Sequence, residues 1–583
     1  MARIDEIKVR LINDINEELG INVDENENLL YSGLTSLSVM SMMSYWKKEG
    51  CNIKFSKLLK MPTVSEWAKI IYDAENNRKK GTAEMSGIDI SKTVNMYEPF
   101  DMTDVQYAYW VGRRGDYLGG VGCHGYFEVN AKYLDVERLS NAWDILFEYH
   151  PMLRAAFTED GKQVVRRDSY PGKFTVVNLS NLSDEKKHSF LDGIRENSSH
   201  RLMNIAEGEV FTLKVCVLGD GEFRLHFDID LLVCDVQSFR ILLRDLANVY
   251  VNGRMPAVEK EWDFAKYLAI SKHKRKEIAK NAEAYWKKKI EELPGAPRIY
   301  VKEENLRGKS IHFIRHEKSI SADITKNIKK KAADHNSTLA TVMLTAYGYV
   351  LSKWSENKKF LMNLPMFNRD TDEGIDDVVA DFTNLLLVPL NYEKKQSFAG
   401  YLNESGEAFK ESIDNSDYSG VKILRDLKKC GKVENGVPFV FSCNLGGSLI
   451  SKEFQRAFGD ISYMISQTPQ VILDFQLFDE GEGLHIVWDS RNAPSTASPD
   501  SSPSSRRPRN PAGRARGRGR CACPCTAPGR REAGRDTTNR GRNACPPGRD
   551  PCPRTAPAPA EASPETRPAP PPRRLAPSRT SAP

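Results

Sequence analysis

The chain has 583 residues, with 84 basic and 78 acidic side chains and a formal net charge of +6. From Ser490 onward there are 19 Arg, no Lys and 6 acidic residues, which leaves 65 basic and 72 acidic residues before that point. The larger part is therefore mildly acidic, which argues against nucleic acid as its partner. No apolar run approaches the ~20 residues that cross a bilayer, so we expect no membrane segment.

Residues 1–77 have the pattern of a small helical domain. The stretch "ARIDEIKVRLINDINEELG" repeats apolar residues near helical spacing, and a second helix begins near Ser36. A short third helix is predicted around "FSKLLKM". After Pro62, Thr63 and Glu66 form the S/T-x-x-E pattern that opens a fourth helix. We therefore predict a four-helix bundle.

Ser36 lies where a loop meets a helix, which by itself indicates an N-cap serine. The stretch "YSGLTSLSVM", however, resembles the attachment site of acyl and aryl carrier proteins, and "FSKLLKMPTVSEWAKII" is similar to aryl carriers. The resemblance implies that Ser36 accepts 4'-phosphopantetheine from a phosphopantetheinyl transferase, and a helix N-terminus favours such a phosphodiester. Carriers usually have Asp before this serine, where the chain has Thr35. A plain helical bundle is the alternative.

Residues 78–96 are polar and are predicted to be a linker, and residues 97–489 alternate strand-like with helical runs. Their length and alternation predict two α/β lobes with a cleft or tunnel between them, and so an α+β multidomain protein. The predicted strands are "VFTLKVCVL", "FRLHFDIDLLV", "KFLMNLPM", "FVFSCNL" and "LHIVWD", and the predicted helices are 135–149, 238–252, 261–291 and 321–354.

Three aspartates punctuate the apolar stretch "HFDIDLLVCDVQS", in which "LLVC" has the appearance of a buried strand. A buried carboxylate is costly unless it is paired. Asp230 and Asp235 are five residues apart, so on one strand they would face opposite sides and could not share a proton. We expect Asp235 to lie beyond the strand end, paired with Arg154 or Arg369. The role of Asp230 stays open between structure and catalysis, and Asp228 is expected to face solvent.

Seven motifs follow one another in this region: "FDMTDVQYAYWVGR", "HPMLRAAF", "DLLVCDVQS", "NLPMFNR", "ADFTNLLL", "VPFVFSCNLG" and "SQTPQVILDFQ". Their series resembles the heterocyclization domains of nonribosomal peptide synthetases, which are relatives of condensation domains, over essentially all of 97–489. A carrier followed by such a domain is similar to the start of siderophore synthetases of the pyochelin and yersiniabactin type. The resemblance implies a two-lobed condensation-type fold with a central tunnel.

The implied activity joins a carrier-bound aryl or acyl thioester to cysteine, serine or threonine and closes a thiazoline or oxazoline ring with loss of water. Asp474 is the leading candidate for the acid and base of this dehydration, with Gln476 as a polar partner. Ser442 lies where the family has Thr, and its hydroxyl group could bond the tetrahedral intermediate or orient Asp474. Asp230 and Asp235 complete the candidate catalytic set. No metal is expected. His150, at a helix end, is predicted to be structural.

The implied partners are an aryl-acid adenylating enzyme and downstream modules or carriers that bear cysteine, because the chain contains no adenylation domain of its own. Amide formation without ring closure is the nearest alternative activity. A truncated synthetase that only carries or docks an acyl group is another.

Residues 490–583 contain one Leu, Leu575, and no Ile, Val, Phe, Tyr, Trp or Met. Such a segment cannot bury a core, so we predict that it is disordered. Its Arg, Pro, Ala and Gly have GC-rich codons, whereas the Lys, Asn and Ile before it have AT-rich codons. A fusion, frameshift or assembly artefact is one explanation, and a basic tail that binds polyanions is the other. Single, scattered cysteines before it predict a reducing cytosol.

Overall fold

The computed structural model describes residues 2–19, 21–51, 53–78, 94–114, 120–255, 262–300, 312–367, 369, 374–434 and 436–492. All of them belong to one compact unit, Met1–Asp500. Most of the predicted linker at 78–96 and of the predicted tail at 490–583 lies outside the described residues.

Four helices form the first bundle, as predicted: α1 (Ala2–Leu19), α2 (Ser36–Lys48), α3 (Phe55–Lys60) and α4 (Val64–Arg78). Apolar residues at helical spacing bury one face of each helix. In α1, Ile7, Leu11 and Ile15 are four residues apart and fully buried. Thr35 is the N-cap of α2, because its Oγ1 accepts the N–H of Ser38 at 3.0 Å. Ser36 is therefore the first helical residue and not the cap.

The first lobe follows in chain order. Its elements are β1 (Phe100–Asp101), α5 (Asp104–Gly112), β2 (His124–Lys132), α6 (Val136–Tyr149), β3 (Ala155–Phe157), β4 (Lys162–Val165), β5 (Phe174–Asn178), α7 (Asp184–Ser199), β6 (Phe211–Gly219), β7 (Glu222–Asp230) and α8 (Val236–Asn252). Strands β2, β7, β6 and β5 lie side by side, and β1, β4 and β3 form a small separate sheet. Buried Phe and Trp side chains pack α6 and α8 onto the larger sheet.

The second lobe contains the remaining elements. They are α9 (Phe264–Lys289), β8 (His312–Ile320), α10 (Ala322–Asp334), α11 (Leu339–Trp354), β9 (Lys359–Phe367), β10 (Thr383–Asn391), α12 (Phe398–Asp414), α13 (Gly420–Lys429), β11 (Phe439–Asn444), α14 (Lys452–Phe458), β12 (Ile461–Gln467), β13 (Leu473–Glu480) and β14 (Gly483–Asn492). Six strands form its sheet in the order β10–β9–β11–β13–β14–β8. Strand β12 pairs instead with β2 of the first lobe and so ties the lobes together.

Three elements differ from the sequence prediction. The run Leu231–Cys234 is a turn and not a strand, because Asp230 ends β7 and its Oδ1 accepts the N–H of Leu232 at 3.1 Å. The predicted helix 321–354 is two helices, broken where Asn336 adopts a positive φ of 47°. Strand β14 continues to Asn492, past the predicted boundary at 489. Among the described helices, none offers the length of apolar surface that a bilayer crossing requires.

Candidate active site

Asp474 and Ser442 lie on neighbouring parallel strands. Strand β11 pairs with β13 so that Ser442 is opposite Gln476 and Val440 is opposite Asp474. The Ser442 hydroxyl donates a hydrogen bond of 2.7 Å to Asp474 Oδ1. Burial raises the pKa of Asp474 to about 7, although the hydrogen bond from Ser442 opposes the shift. The two candidates therefore meet, and the carboxyl group has a pKa near neutral pH.

A second carboxylate, Asp489, lies directly across from Asp474 on the antiparallel strand β14. Its charge contributes to the raised pKa of Asp474, while Arg315 opposes it. Arg315 holds Asp489 through two bonds, Nε to Oδ1 at 2.8 Å and Nη2 to Oδ2 at 2.6 Å. Gln476 Nε2 donates to Asp489 Oδ2 at 2.9 Å and to Ser466 Oγ at 3.1 Å. Gln476 thus joins this buried network next to Asp474.

The network was missed from the sequence for a physical reason. Asp489 ends the strand-like run "LHIVWD", and only the cross-strand register shows that it opposes Asp474. Arg315 is on β8, which belongs to no recognised motif, and it reaches Asp489 across the sheet. The sequence did contain one indication, because Asp489 is a carboxylate at the end of the apolar run "LHIVWD". A carboxylate in an otherwise apolar strand needs a partner.

Asp474 faces a cavity of about 420 Å³ between the lobes. The polar groups that line it include Tyr109, Asp235, Asp381, Ser442 and Gln476. Asp381 is buried; its Oδ1 accepts the N–H of Thr383 at 3.0 Å, and its Oδ2 has no hydrogen-bond partner. Burial raises the pKa of Asp381 to about 8. The cavity therefore contains two carboxyl groups that hold protons near neutral pH.

The pKa of Asp381 predicts a pH-dependent stability. Its folded value of about 8 lies above the ordinary 3.8, so the folded chain holds this proton more tightly than the unfolded chain does. Stability from this group is fully present below about pH 4 and is lost as the pH rises to about 8. Asp381→Asn should remove that loss and raise the free energy of unfolding by a few kcal/mol at pH 8.5 but hardly at pH 4.

Urea unfolding of both chains at several pH values measures this difference. Asp376→Asn is the matched control, because Asp376 is an exposed carboxylate in the same segment. The raised pKa of Asp381 would be contradicted if the two chains differ in free energy of unfolding by the same amount from pH 4 to 8.5.

Asp235 holds the start of α8 against the second lobe. Its Oδ1 accepts the N–H of Ser238 at 2.6 Å and Arg369 Nη2 at 2.9 Å, and its Oδ2 accepts the N–H of Phe382 at 3.4 Å. The Ser238 hydroxyl donates to the carbonyl of Ala380 at 2.7 Å. The predicted pairing of Asp235 with an arginine is confirmed, with Arg369 as the partner. Both oxygens of Asp235 are engaged, which favours a structural role.

The structure also gives the partners of Asp230, Asp228 and Arg154. Asp230 is fully buried, and its Oδ2 accepts Arg113 Nη1 at 2.8 Å. The prediction that Asp228 faces solvent is wrong, because Asp228 is buried and bonded to His124 and Arg201. Arg154, the other proposed partner of Asp235, instead donates to backbone carbonyl groups. We therefore expect the chemistry at Asp474 and not in the cluster around Asp230.

His150 has the structural surroundings that were predicted for it. It is buried, and its Nε2 lies 3.0 Å from Asp245 Oδ2 of α8. The pair fixes the end of α6 against α8 inside the first lobe and away from the residues that line the cavity at Asp474.

Ser36 is buried in a contact between the helical bundle and the second lobe. Its Oγ lies 2.7 Å from Thr338 Oγ1, at the start of α11. Around it, Tyr31 donates to Asp334 at 2.8 Å, and Phe55 packs edge-on against Phe409 with ring centroids 6.0 Å apart. The buried apolar residues of the bundle and of the second lobe form one continuous core. The bundle is thus seated on α10–α12.

Ser36 opens onto a second cavity, of about 320 Å³. This cavity adjoins the one that contains Asp474, because Val236, Pro365, Phe367 and Asn444 line both. A group attached to Ser36 would therefore enter a cavity that shares part of its wall with the cavity at the candidate catalytic carboxyl group. The residues fit 4'-phosphopantetheine, since the hydroxyl group is at a helix N-terminus and faces an interior cavity of about 320 Å³.

Because Ser36 is only 4% exposed in the seated bundle, an enzyme that modifies it needs the bundle to move away. Lys47 Nζ lies 3.0 Å from Asp417 Oδ1 across this contact. Lys47→Glu places like charges together and should raise the initial rate of phosphopantetheinylation about threefold. Mass spectrometry over time measures the rate, and the exchanged pair Lys47→Glu with Asp417→Lys should restore the parent rate. If Lys47 instead acts by contacting the modifying enzyme, the exchanged pair should not restore the parent rate.

Comparison with known proteins places both parts of the chain. The condensation-domain family model matches residues 125–491, and the phosphopantetheine attachment site model matches residues 9–71. The domain of the latter family carries covalently attached 4'-phosphopantetheine.

Two relatives match across both parts. Pyochelin synthetase PchE of Pseudomonas aeruginosa is 32% identical over 80% of this chain, and phenyloxazoline synthase MbtB of Mycobacterium sp. is 31% identical over 82%. The chain spans 32% and 41% of the length of these relatives. Among solved structures, the cyclization-docking bidomain of EpoB from Sorangium cellulosum has a TM-score of 0.65 and 26% identity. It covers 73% of this chain, and the match includes 86% of that structure.

Proposed function

The chain belongs to the condensation-domain family of nonribosomal peptide synthetases, with a phosphopantetheine attachment domain before it, and we propose that it both condenses and cyclizes its substrates. In this proposal an aryl or acyl group on Ser36 is joined to a cysteine, serine or threonine on a second carrier. The amide then closes to a thiazoline or oxazoline. The pathway proposed is siderophore assembly, in keeping with the relatives PchE and MbtB.

One observation carries the proposal: the cavity that begins at Ser36 adjoins the cavity that contains Asp474. When bound, 4'-phosphopantetheine supplies a terminal thiol that holds the acyl group as a thioester. The amine of the second substrate would form the amide C–N bond as the C–S bond breaks, and the amine proton would pass to the departing sulfur. Amide formation depends more on holding the amine next to the thioester in the cavity than on an acid.

Ring closure is the step for which Asp474 is suited. The side-chain sulfur or oxygen of the joined amino acid bonds to the amide carbon and loses its proton, and that proton moves to the former carbonyl oxygen, which becomes a hydroxyl group. Protonated Asp474 gives its proton to this oxygen, and water leaves. The carboxylate then takes the N–H proton as the C=N bond forms, which restores the acid. A pKa near 7 makes both forms of Asp474 available at neutral pH.

Ser442 has a positioning role in this proposal. Its hydrogen bond to Asp474 Oδ1 fixes the orientation of the carboxyl group that exchanges the proton with the substrate. The family has Thr at this place, and the serine hydroxyl keeps the same bond without the methyl group. Asp230 and Asp235 are proposed to maintain the lobes, since each is engaged by a buried arginine.

Intact-protein mass spectrometry tests the function. The chain is modified with 4'-phosphopantetheine, loaded by a separate aryl-acid adenylating enzyme and mixed with cysteinyl, seryl or threonyl carriers. A product that has lost one water beyond amide formation supports the proposal. Amide without this loss indicates a condensation catalyst only, and an acyl group that stays on Ser36 indicates a carrier or docking protein.

A further inference from the structure

Arg240, in the second turn of α8, is a largely desolvated cation that is held by backbone carbonyl groups. Its Nη2 donates to the carbonyl oxygens of Asn444 and Gly447, at 2.9 Å each. Its Nε is buried and has no hydrogen-bond partner, and no described carboxylate forms an ion pair with it. Burial lowers the pKa of Arg240, and the carboxylates of Asp479 and Asp235, of which Asp479 lines the cavity at Ser36, only partly offset that shift. A cation in this state favours an anion.

The guanidinium group of Arg240 lies on the wall of the cavity onto which Ser36 opens. The side chain of Leu37, next to Ser36, packs on Gly446, between the two residues whose carbonyl groups hold Arg240. The packing is so close that a Cβ at Gly446 would lie 2.8 Å from Leu37 Cδ2. Arg240 and Ser36 therefore line the same cavity, and the contact between Leu37 and Gly446 joins the two segments next to them.

Two helix N-termini also converge at Ser36. The hydroxyl groups of Ser36 and Thr338 meet at the first residue of α2 and at the N-cap of α11, which have 13 and 16 residues. Thr338 Oγ1 accepts the N–H of Thr341 and so caps α11. The positive ends of both helix dipoles point to the same place, where negative charge is favoured.

We propose that Arg240, together with Thr338 and the N-terminus of α11, binds the phosphodiester that joins 4'-phosphopantetheine to Ser36 when the bundle is seated on the second lobe. The inference rests on the proposed use of Ser36 as the attachment residue. Its consequence is that modification strengthens the seating of the bundle. The unmodified bundle is held by the Ser36–Thr338 hydrogen bond and the apolar contact, and the modified bundle gains a charge-assisted bond to Arg240.

Hydrogen–deuterium exchange of the whole chain, followed by mass spectrometry, tests this proposal without any acyl group. Attachment of 4'-phosphopantetheine, verified by intact mass, should slow exchange in the first turns of α2 and α11 about tenfold. In Arg240→Gln the same attachment should change exchange less than twofold. Arg240→Lys, which keeps the charge, should recover part of the effect. Because no thioester is present, a failure of the proposed chemistry leaves this measurement unchanged.

Two controls distinguish phosphate binding from a structural role. Lys47→Gln removes an ion pair of the same contact and should speed exchange equally in the unmodified and modified chains. Ser36→Ala, treated with the transferase, should stay at the unmodified exchange rate. Equal slowing on modification in Arg240→Gln and in the parent chain would overturn the proposal. The proposal would also be overturned if Arg240→Gln speeds exchange equally in the unmodified and the modified chain. Arg240 would then only stabilise the loop at 444–447.

Discussion

Asp474→Asn is expected to stop ring closure while leaving amide formation within a few-fold of the parent rate. The asparagine keeps the size of the side chain and can still accept the bond from Ser442, but it has no proton to give to the leaving oxygen. Loss of a positioned acid and base typically costs ~10²–10⁴ in rate. The measurement is the ratio of cyclized product to open amide, followed by mass spectrometry over time. Equal loss of both products would contradict the assigned role.

The rate of cyclization should also depend on pH in a direction that the pKa of Asp474 sets. The protonated form of Asp474 starts the loss of water, so the rate of cyclization should fall as the pH rises through about 7. Ser442→Ala removes a hydrogen bond that lowers the pKa, so the fall should move to higher pH while Ser442→Thr keeps the parent profile. Glu480→Gln is the matched control, because Glu480 is an exposed carboxylate on the same strand. It should change neither the ratio nor the profile.

The elements with strong local signals were predictable from sequence. Helix α1 repeats buried residues every fourth position, and β6 and β9 are short apolar runs bounded by polar residues. The break between α10 and α11 was missed because Asn336 and Thr338 interrupt a pattern that is otherwise helical throughout. One residue with a positive φ hardly changes the helical spacing of apolar residues over a segment as long as 321–354.

The candidate site was predictable as far as its residues lie in recognised motifs. Asp474, Ser442 and Ser36 were named from such stretches, and the bond between the first two joins strands 32 residues apart. The opposition of Asp474 and Asp489, and the seating of Ser36 against Thr338, depend on sheet register and on domain contact. The first follows from a local feature, because β13 and β14 form a hairpin that closes with the pair Glu480 and Gly483, and its two-residue turn fixes the register. The second joins residues 302 positions apart, and their spacing in the chain carries no periodicity. The burial of Asp228 was missed for the same reason, since His124 and Arg201 come from other elements.

Arg369→Met is expected to cause the largest loss of stability among the buried ion pairs. Arg369 and Asp235 are 8% and 3% exposed, and the pair joins α8 to the segment that leads into β10. Removal of one partner leaves an unpaired carboxylate in the interior, which typically costs ~3–5 kcal/mol. The midpoint of urea unfolding, followed by tryptophan fluorescence, measures the loss. Arg154→Met is the matched control, because that arginine donates only to backbone carbonyl groups and should cost about 1 kcal/mol.

A second change tests whether the loss comes from the charge or from packing. If the unpaired charge of Asp235 is the cause, Asp235→Asn in the Arg369→Met background should recover part of the stability, although either change alone destabilises the chain. The asparagine oxygen can still accept the N–H of Ser238 and so keeps the N-cap of α8. Additive losses in the double variant would show that the arginine acts through its contacts with the carbonyl groups of Ile375 and Val378. Recovery would show that the charge of Asp235 is stabilised by its ion pair with Arg369, so that this carboxylate serves the junction between the lobes and not proton transfer.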